Sequence, residues 1–183
     1  MKRIVLFDAG HNRKAGDPGA VSGKFIEADI NVAVAKAAGM YLTAHYNCEA
    51  IVDTVSTIPQ NCRTAKAKQA GAAISIHHNA GGGDGCEVYY APSDPEAKQL
   101  ATLIVAEFKA IGQNAHGIPV KSSSKFGFCR INAENGIPAV LGEFAFVDNA
   151  KDRLAIDSSA DMLKEGAAYA KAVAKFLQLP IKV

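Results

Sequence analysis

The run Ile4-Val5-Leu6-Phe7 constrains this chain most, because four consecutive apolar residues leave no polar face for solvent. A strand of that kind is covered on both sides, as the central strands of parallel sheets are. A second such run, Ala73-Ile74-Ser75-Ile76, leads into His77-His78-Asn79-Ala80. Further strands are expected over Glu49–Asp53, Gly85–Tyr90 and Pro138–Glu143. Between them lie helical patterns: Ile30, Val34, Ala37 or Ala38, Tyr41 and Leu42; then Leu100, Ile104, Phe108 and Ile111. Pro59 opens a short helix over about residues 60–69, and Ser93-Asp94-Pro95-Glu96 has capping-box form. The last helix carries Met162 or Leu163, Ala167, Ala170, Val173 or Ala174 and Leu177, and stops before Pro180. Residues 12–24 read as a long loop, Ser122-Ser123-Ser124-Lys125 as a surface loop, and Phe126–Ile131 as strand or irregular. Strands alternating with helices, without repeat or linker, predict one α/β domain over residues 1–183. Its mainly parallel, mixed central sheet is flanked by helices on both faces.

Composition removes several classes of function. The net charge of +2 is too small to steer the chain to nucleic acid. No stretch approaches the roughly 18 apolar residues of a spanning helix, so membrane insertion is not expected. The four cysteines, Cys48, Cys62, Cys86 and Cys129, are widely spaced and read as buried free thiols rather than a disulfide framework. Met1-Lys2-Arg3 has signal-like charge, but the apolar run after it stops at Asp8, too short for a secretory core. Synthesis in the cytoplasm without a signal peptide is therefore expected.

Chemistry collects at strand ends. In open α/β sheets ligands bind beyond the carboxyl ends of strands, and His11, His77 and Glu143 follow or end three of the predicted strands. Glu27 sits at a helix start, where a carboxylate is favoured by the dipole. Two His and one Glu with an open fourth position form a catalytic zinc set. A second carboxylate would then act as general base on the attacking water. Successive strand side chains point to opposite faces, so His77 and His78 are not expected to hold one ion together. Taken singly, His11 would cap a turn, Glu27 would be a helix-end charge and Glu143 a buried structural acid. Gly81–Gly83 reads as a flexible loop by the crevice, since no helix start or Lys follows to make a phosphate cradle.

The motifs together resemble a known family. Leu6-Phe7-Asp8-Ala9-Gly10-His11, then Asp17-Pro18-Gly19-Ala20 and Glu27, resemble the opening of the zinc-dependent N-acetylmuramoyl-L-alanine amidases of the amidase-3 family. Ser75-Ile76-His77-His78-Asn79-Ala80 is similar to their second histidine motif, and Gly85–Tyr90 to the strand after it. Residues 138–149, from Pro138 to Asn149, resemble their terminal glutamate motif. The resemblance spans about residues 3–177 in order. It departs at Asn12-Arg13-Lys14, where a glycine-rich continuation is commoner, and around Arg63 and Ala67-Lys68.

That resemblance implies a Zn2+ held by His11, Glu27 and His77, with Glu143 as the catalytic carboxylate. His78 falls where the family usually has a small residue, so it is expected beside the site, facing substrate or on the surface, and not as a ligand. Asp8 is a candidate to orient His11. The implied substrate is peptidoglycan, and the implied reaction cuts the amide between N-acetylmuramic acid and L-alanine of the stem peptide. A monomer acting on the cell wall is expected, a phage or prophage endolysin or else a trimmed bacterial autolysin or sporulation enzyme. The alternatives are a zinc peptidase acting within the stem peptide and an inactive wall-binding relative.

Overall fold

The computed structural model describes residues 3–182; Met1 and Lys2 of the signal-like charge lie outside them. In chain order the strands are β1 (Arg3–Ala9), β2 (Val21–Ser22), β3 (Phe25–Ile26), β4 (Cys48–Asp53), β5 (Ala72–Asn79), β6 (Cys86–Tyr90), β7 (Ala115–Ser122) and β8 (Ala139–Phe146). The helices are α1 (Glu27–His45), α2 (Ile58–Ala67), α3 (Pro95–Ala110), α4 (Gly127–Glu134) and α5 (Ser159–Phe176). Six strands form one sheet in the order β4-β1-β5-β8-β6-β7. Every neighbouring pair in it is parallel except β6 against β8. The mixed, mainly parallel sheet is as the strand pattern predicts.

Alternation along the strands sorts the core into two layers. Val5, Phe7, Ile74, Ile76, Val140 and Phe144 pack under α1, α3 and α5. Leu6, Ala73 and Leu141 point the other way, onto Cys62 and Ala65 of α2 and Phe128 and Cys129 of α4. Both faces are thus covered, which is why Val5, Leu6 and Phe7 can all be apolar and all be fully buried. The four cysteines are buried and free. Among the described residues no helix is long and apolar enough to cross a membrane.

Four local readings change. Residues 115–122 form an edge strand, and its Pro119 is tolerated there because an edge needs fewer ladder donors. Phe126–Ile131 is neither strand nor irregular: Phe126 caps α4, whose Phe128, Cys129 and Asn132 are buried. The loop over 12–24 contains a 3-10 turn (Arg13–Ala15) and the strand β2, which pairs with β3. Asp94, not Ser93, caps α3, accepting from the Ala97 N–H at 2.8 Å.

Candidate metal centre

His11, Glu27 and His77 meet at the carboxyl edge of the sheet. His77 ends the apolar part of β5 and shares its face with Ser75 and Ala73, the face turned toward α2 and α4. His11 follows β1 with a φ of 64°, a left-handed backbone that is uncommon for a residue with a side chain. Glu27 is the first residue of α1. Its Oε1 lies 3.0 Å from His77 Nδ1 and 3.3 Å from His11 Nε2. The two imidazoles stand edge to face with centroids 5.0 Å apart. One nitrogen or oxygen from each of the three side chains falls within 4.8 Å of the others, the spacing of a shared cation. Among the described residues this is the one such group of His, Cys, Asp or Glu.

The surrounding backbone is shaped to this cluster. The Ala20 N–H donates to Glu27 Oε2 at 2.8 Å and the His78 N–H to Oε1 at 3.1 Å, so both carboxylate oxygens are held. A Cβ on Gly10 would overlap the His77 ring, and one on Gly19 would lie 2.5 Å from Glu27 Oε2 and 2.6 Å from the His11 ring. Gly19 also has a φ of +66°, which glycine adopts without strain. His11 Nδ1 faces Asp17 Oδ1 at 2.9 Å, so Asp17, rather than Asp8, orients that ring. Asp8 instead accepts from Ser75 Oγ and Asn61 Nδ2, each at 2.6 Å, on the cleft floor.

Electrostatics favour a cation here. The hydrogen bond to Glu27 is the chief cause that lifts His11 to about 9, against the effect of burial and with help from Asp17. Burial works against the charge on Glu27, but the hydrogen bonds from His11 and His77 hold its carboxyl well below the usual range. Two imidazoles and a carboxylate are the donor types of catalytic zinc sites. A divalent ion would take the place of the protons that bridge these groups, since an imidazole must lose its proton to ligate. The residues present therefore fit zinc.

Glu143 stands beside this cluster. It is the direct partner of His77 across the parallel β5–β8 pair and so projects from the same face. Its Oε2 is out of solvent and has no hydrogen-bond partner. Burial, the largest cause, pushes this carboxyl up to about 7; the charges of Glu27 and Glu87 add to the rise, while His77 and His78 oppose it. The cleft in front has a volume of about 700 Å³, with Asn12, Val55, Thr57, Ile58 and Phe126 on its walls. Val55 and Ile58 give it an apolar rim, 67% and 44% exposed.

Of the three placements expected for His78, the structure shows the one beside the site. His78 faces away from the cluster, fully buried under α1 and α5, and is not a surface histidine. Its Nδ1 lies 2.8 Å from Asn31 Oδ1 and its Nε2 3.1 Å from Glu165 Oε2. Sequence reasoning missed Asn31 and Glu165. Asn31 was findable, since it stands one helical turn beyond Glu27 on the same face of α1. Glu165, 87 residues from His78, carries no local signal. The glycines 81 and 82 are tied rather than loose, because both N–H groups donate to Asp148 Oδ2.

A three-layer α/β domain with a His–Glu–His cluster and an unpartnered carboxylate at the strand ends belongs to the class of α/β domains with a candidate metal centre. Residues 5–175 match the amidase-3 family, described as N-acetylmuramoyl-L-alanine amidase, and the chain belongs to that family. It is 31% identical over 194 residues to the endolysin of Bacillus phage SPP1, covering 100% of this chain and 69% of that protein. It is 30% identical over 182 residues to the N-acetylmuramoyl-L-alanine amidase CwlM of Bacillus licheniformis, covering 96% and 69%. Among solved structures it superposes on the catalytic domain of CwlV, an N-acetylmuramoyl-L-alanine amidase from Bacillus (Paenibacillus) polymyxa var. colistinus. That match has a TM-score of 0.84 at 26% identity and covers 97% of this chain and 99% of that one.

Proposed function

We propose that this chain is a zinc-dependent peptidoglycan amidase that cleaves between the lactyl group of N-acetylmuramic acid and L-alanine of the stem peptide. The observation that carries this is the placement of Glu143, its buried oxygen unpartnered, one strand over from the His11–Glu27–His77 cluster in a member of the amidase-3 family. When bound, zinc supplies Lewis acidity, polarising a carbonyl and lowering the pKa of a water. His11, Glu27 and His77 would hold it. Glu143 takes a proton from the attacking water and passes one to the departing L-alanine nitrogen, giving a lactyl carboxylic acid and a free amine. Burial, which favours the protonated form of this carboxyl, moves it in the direction that suits a proton carrier, since such a group works best when its pKa lies near the working pH. The cleft volume is in the range that encloses a small ligand.

Similarity over the whole chain to the SPP1 endolysin supports a lytic role against bacterial wall, with the enzyme acting outside the cytoplasm. Purified sacculi digested with the protein and analysed by mass spectrometry test the reading. Stem peptides bearing a free L-alanine N-terminus, lost with chelator and with Glu143→Ala, are expected. Cleavage inside the stem peptide would replace the amidase with a peptidase. No release by a zinc-loaded parent would leave a wall-binding relative.

A further inference from the structure

Behind the sheet, on the side away from substrate, three buried polar side chains lie in a row. Asn31, His78 and Glu165 are all essentially inaccessible, and they come from α1, β5 and α5. Asn31 Nδ2 donates to the carbonyl of Gly10 at 2.9 Å. That bond fixes the orientation of the amide, so Asn31 Oδ1 accepts from His78 Nδ1 at 2.8 Å. His78 Nε2 meets Glu165 Oε2 at 3.1 Å, and Phe144 packs edge-on against the ring with centroids 6.2 Å apart. Glu165 Oε1 has no partner. Gly166, the next residue, lets α5 approach α1 closely enough to deliver Glu165, since a Cβ there would lie 2.6 Å from Ala37 Cβ.

Two members of the row connect to the candidate ligands, Asn31 through its hydrogen bond to the carbonyl of Gly10 and His78 through its peptide link to His77. Gly10 precedes His11, and its own N–H donates to the Ile76 carbonyl at 2.9 Å, so with the Asn31 bond to its carbonyl both backbone polar groups of Gly10 are held. His78 follows His77, and its N–H donates to Glu27 Oε1. Asn31 lies one turn beyond Glu27. A helix and a strand packed by apolar groups alone would hold together as well, since buried polar sets are weak sources of stability. What directional bonds add is a fixed position for the left-handed turn at His11.

We propose that Asn31, His78 and Glu165 are positioning residues that hold the His11–Glu27–His77 cluster from behind the sheet and thereby set its metal affinity. The proposal rests on the zinc reading of that cluster, and none of the three touches substrate. Groups that orient metal ligands typically contribute 10–100-fold in metal affinity or activity.

The test is a chelator-competition titration of zinc into the whole chain, with folding of every variant checked by circular dichroism and thermal melting. Asn31→Ala, a change helices favour, removes the Gly10 clamp and should weaken zinc binding by about 10–100-fold, with kcat falling and KM unchanged. Glu165→Leu should do the same. Glu165→Gln keeps a polar partner for His78 and should bind zinc within a few-fold of the parent. Folded Asn31→Ala and Glu165→Leu proteins that differ from the parent only in melting temperature, with parental zinc affinity, overturn the proposal. A parent chain that binds no zinc overturns the reading of the site itself, and this inference with it.

Discussion

Glu143 carries a charge that folding opposes. Its carboxyl ordinarily titrates near 4.5 and is pushed up to about 7, chiefly by burial. A raised folded value means that the contribution to stability is fully present below 4.5 and is lost as pH rises through about 7. The gap corresponds to roughly 3 kcal/mol of folding free energy withheld at alkaline pH, an upper figure for a side chain at a cleft. Gln has the same shape without the charge. Metal-free Glu143→Gln should therefore melt above metal-free parent at about pH 8.5, by up to roughly 6–12 °C, and the difference should close toward pH 4.5. Catalysis would be absent throughout. Calorimetry across that range checks the sign: a difference that is flat with pH, or that grows on the acid side, contradicts burial as the cause.

Among the elements, the packing of α5 on α1 depends on Gly166. Ala would be the better helix former by about 1 kcal/mol, yet its Cβ would sit 2.6 Å from Ala37 Cβ and 2.7 Å from the Ala38 nitrogen. Overpacking typically costs about 1–3 kcal/mol, so Gly166→Ala should lower the melting temperature although propensity alone predicts a rise. An unchanged or higher melting point would show that the helices separate freely. The elements also mark what can be read from sequence. Runs buried on both faces, such as Ile4–Phe7 and Pro138–Glu143, announce their strands, because a short unbroken apolar run fits best in a sheet covered on both sides, although β8 continues past Glu143 to Phe146. The edge strand β7 and the short helix α4 do not, since Gly117 and Pro119 blur one pattern and α4 is eight residues long. Alternation along β5 correctly separates His77 from His78. It is silent on the partners of His78, because Asn31 and Glu165 reach it through helix packing rather than through any local spacing.

At the scale of the whole molecule, the proposed zinc site would make metal binding and folding one equilibrium. His11 follows β1, Glu27 starts α1 and His77 lies near the end of β5, so a bound ion would add a link between segments up to 66 residues apart in sequence. Anything that binds the folded chain but not the unfolded one stabilises it by mass action, by about 2.7 kcal/mol at a hundredfold excess over its dissociation constant. For a chain of 183 residues that free energy corresponds to a rise of roughly 5–11 °C in melting temperature. Addition of chelator should reverse the rise, and stoichiometric zinc should restore it with one equivalent per chain. His77→Ala should abolish the zinc-dependent part while leaving a folded, metal-free domain, because the core under α1, α3 and α5 lies on the opposite side of β5 from that ring. A zinc-dependent rise that survives in His77→Ala would place the ion elsewhere and separate the metal from the cleft.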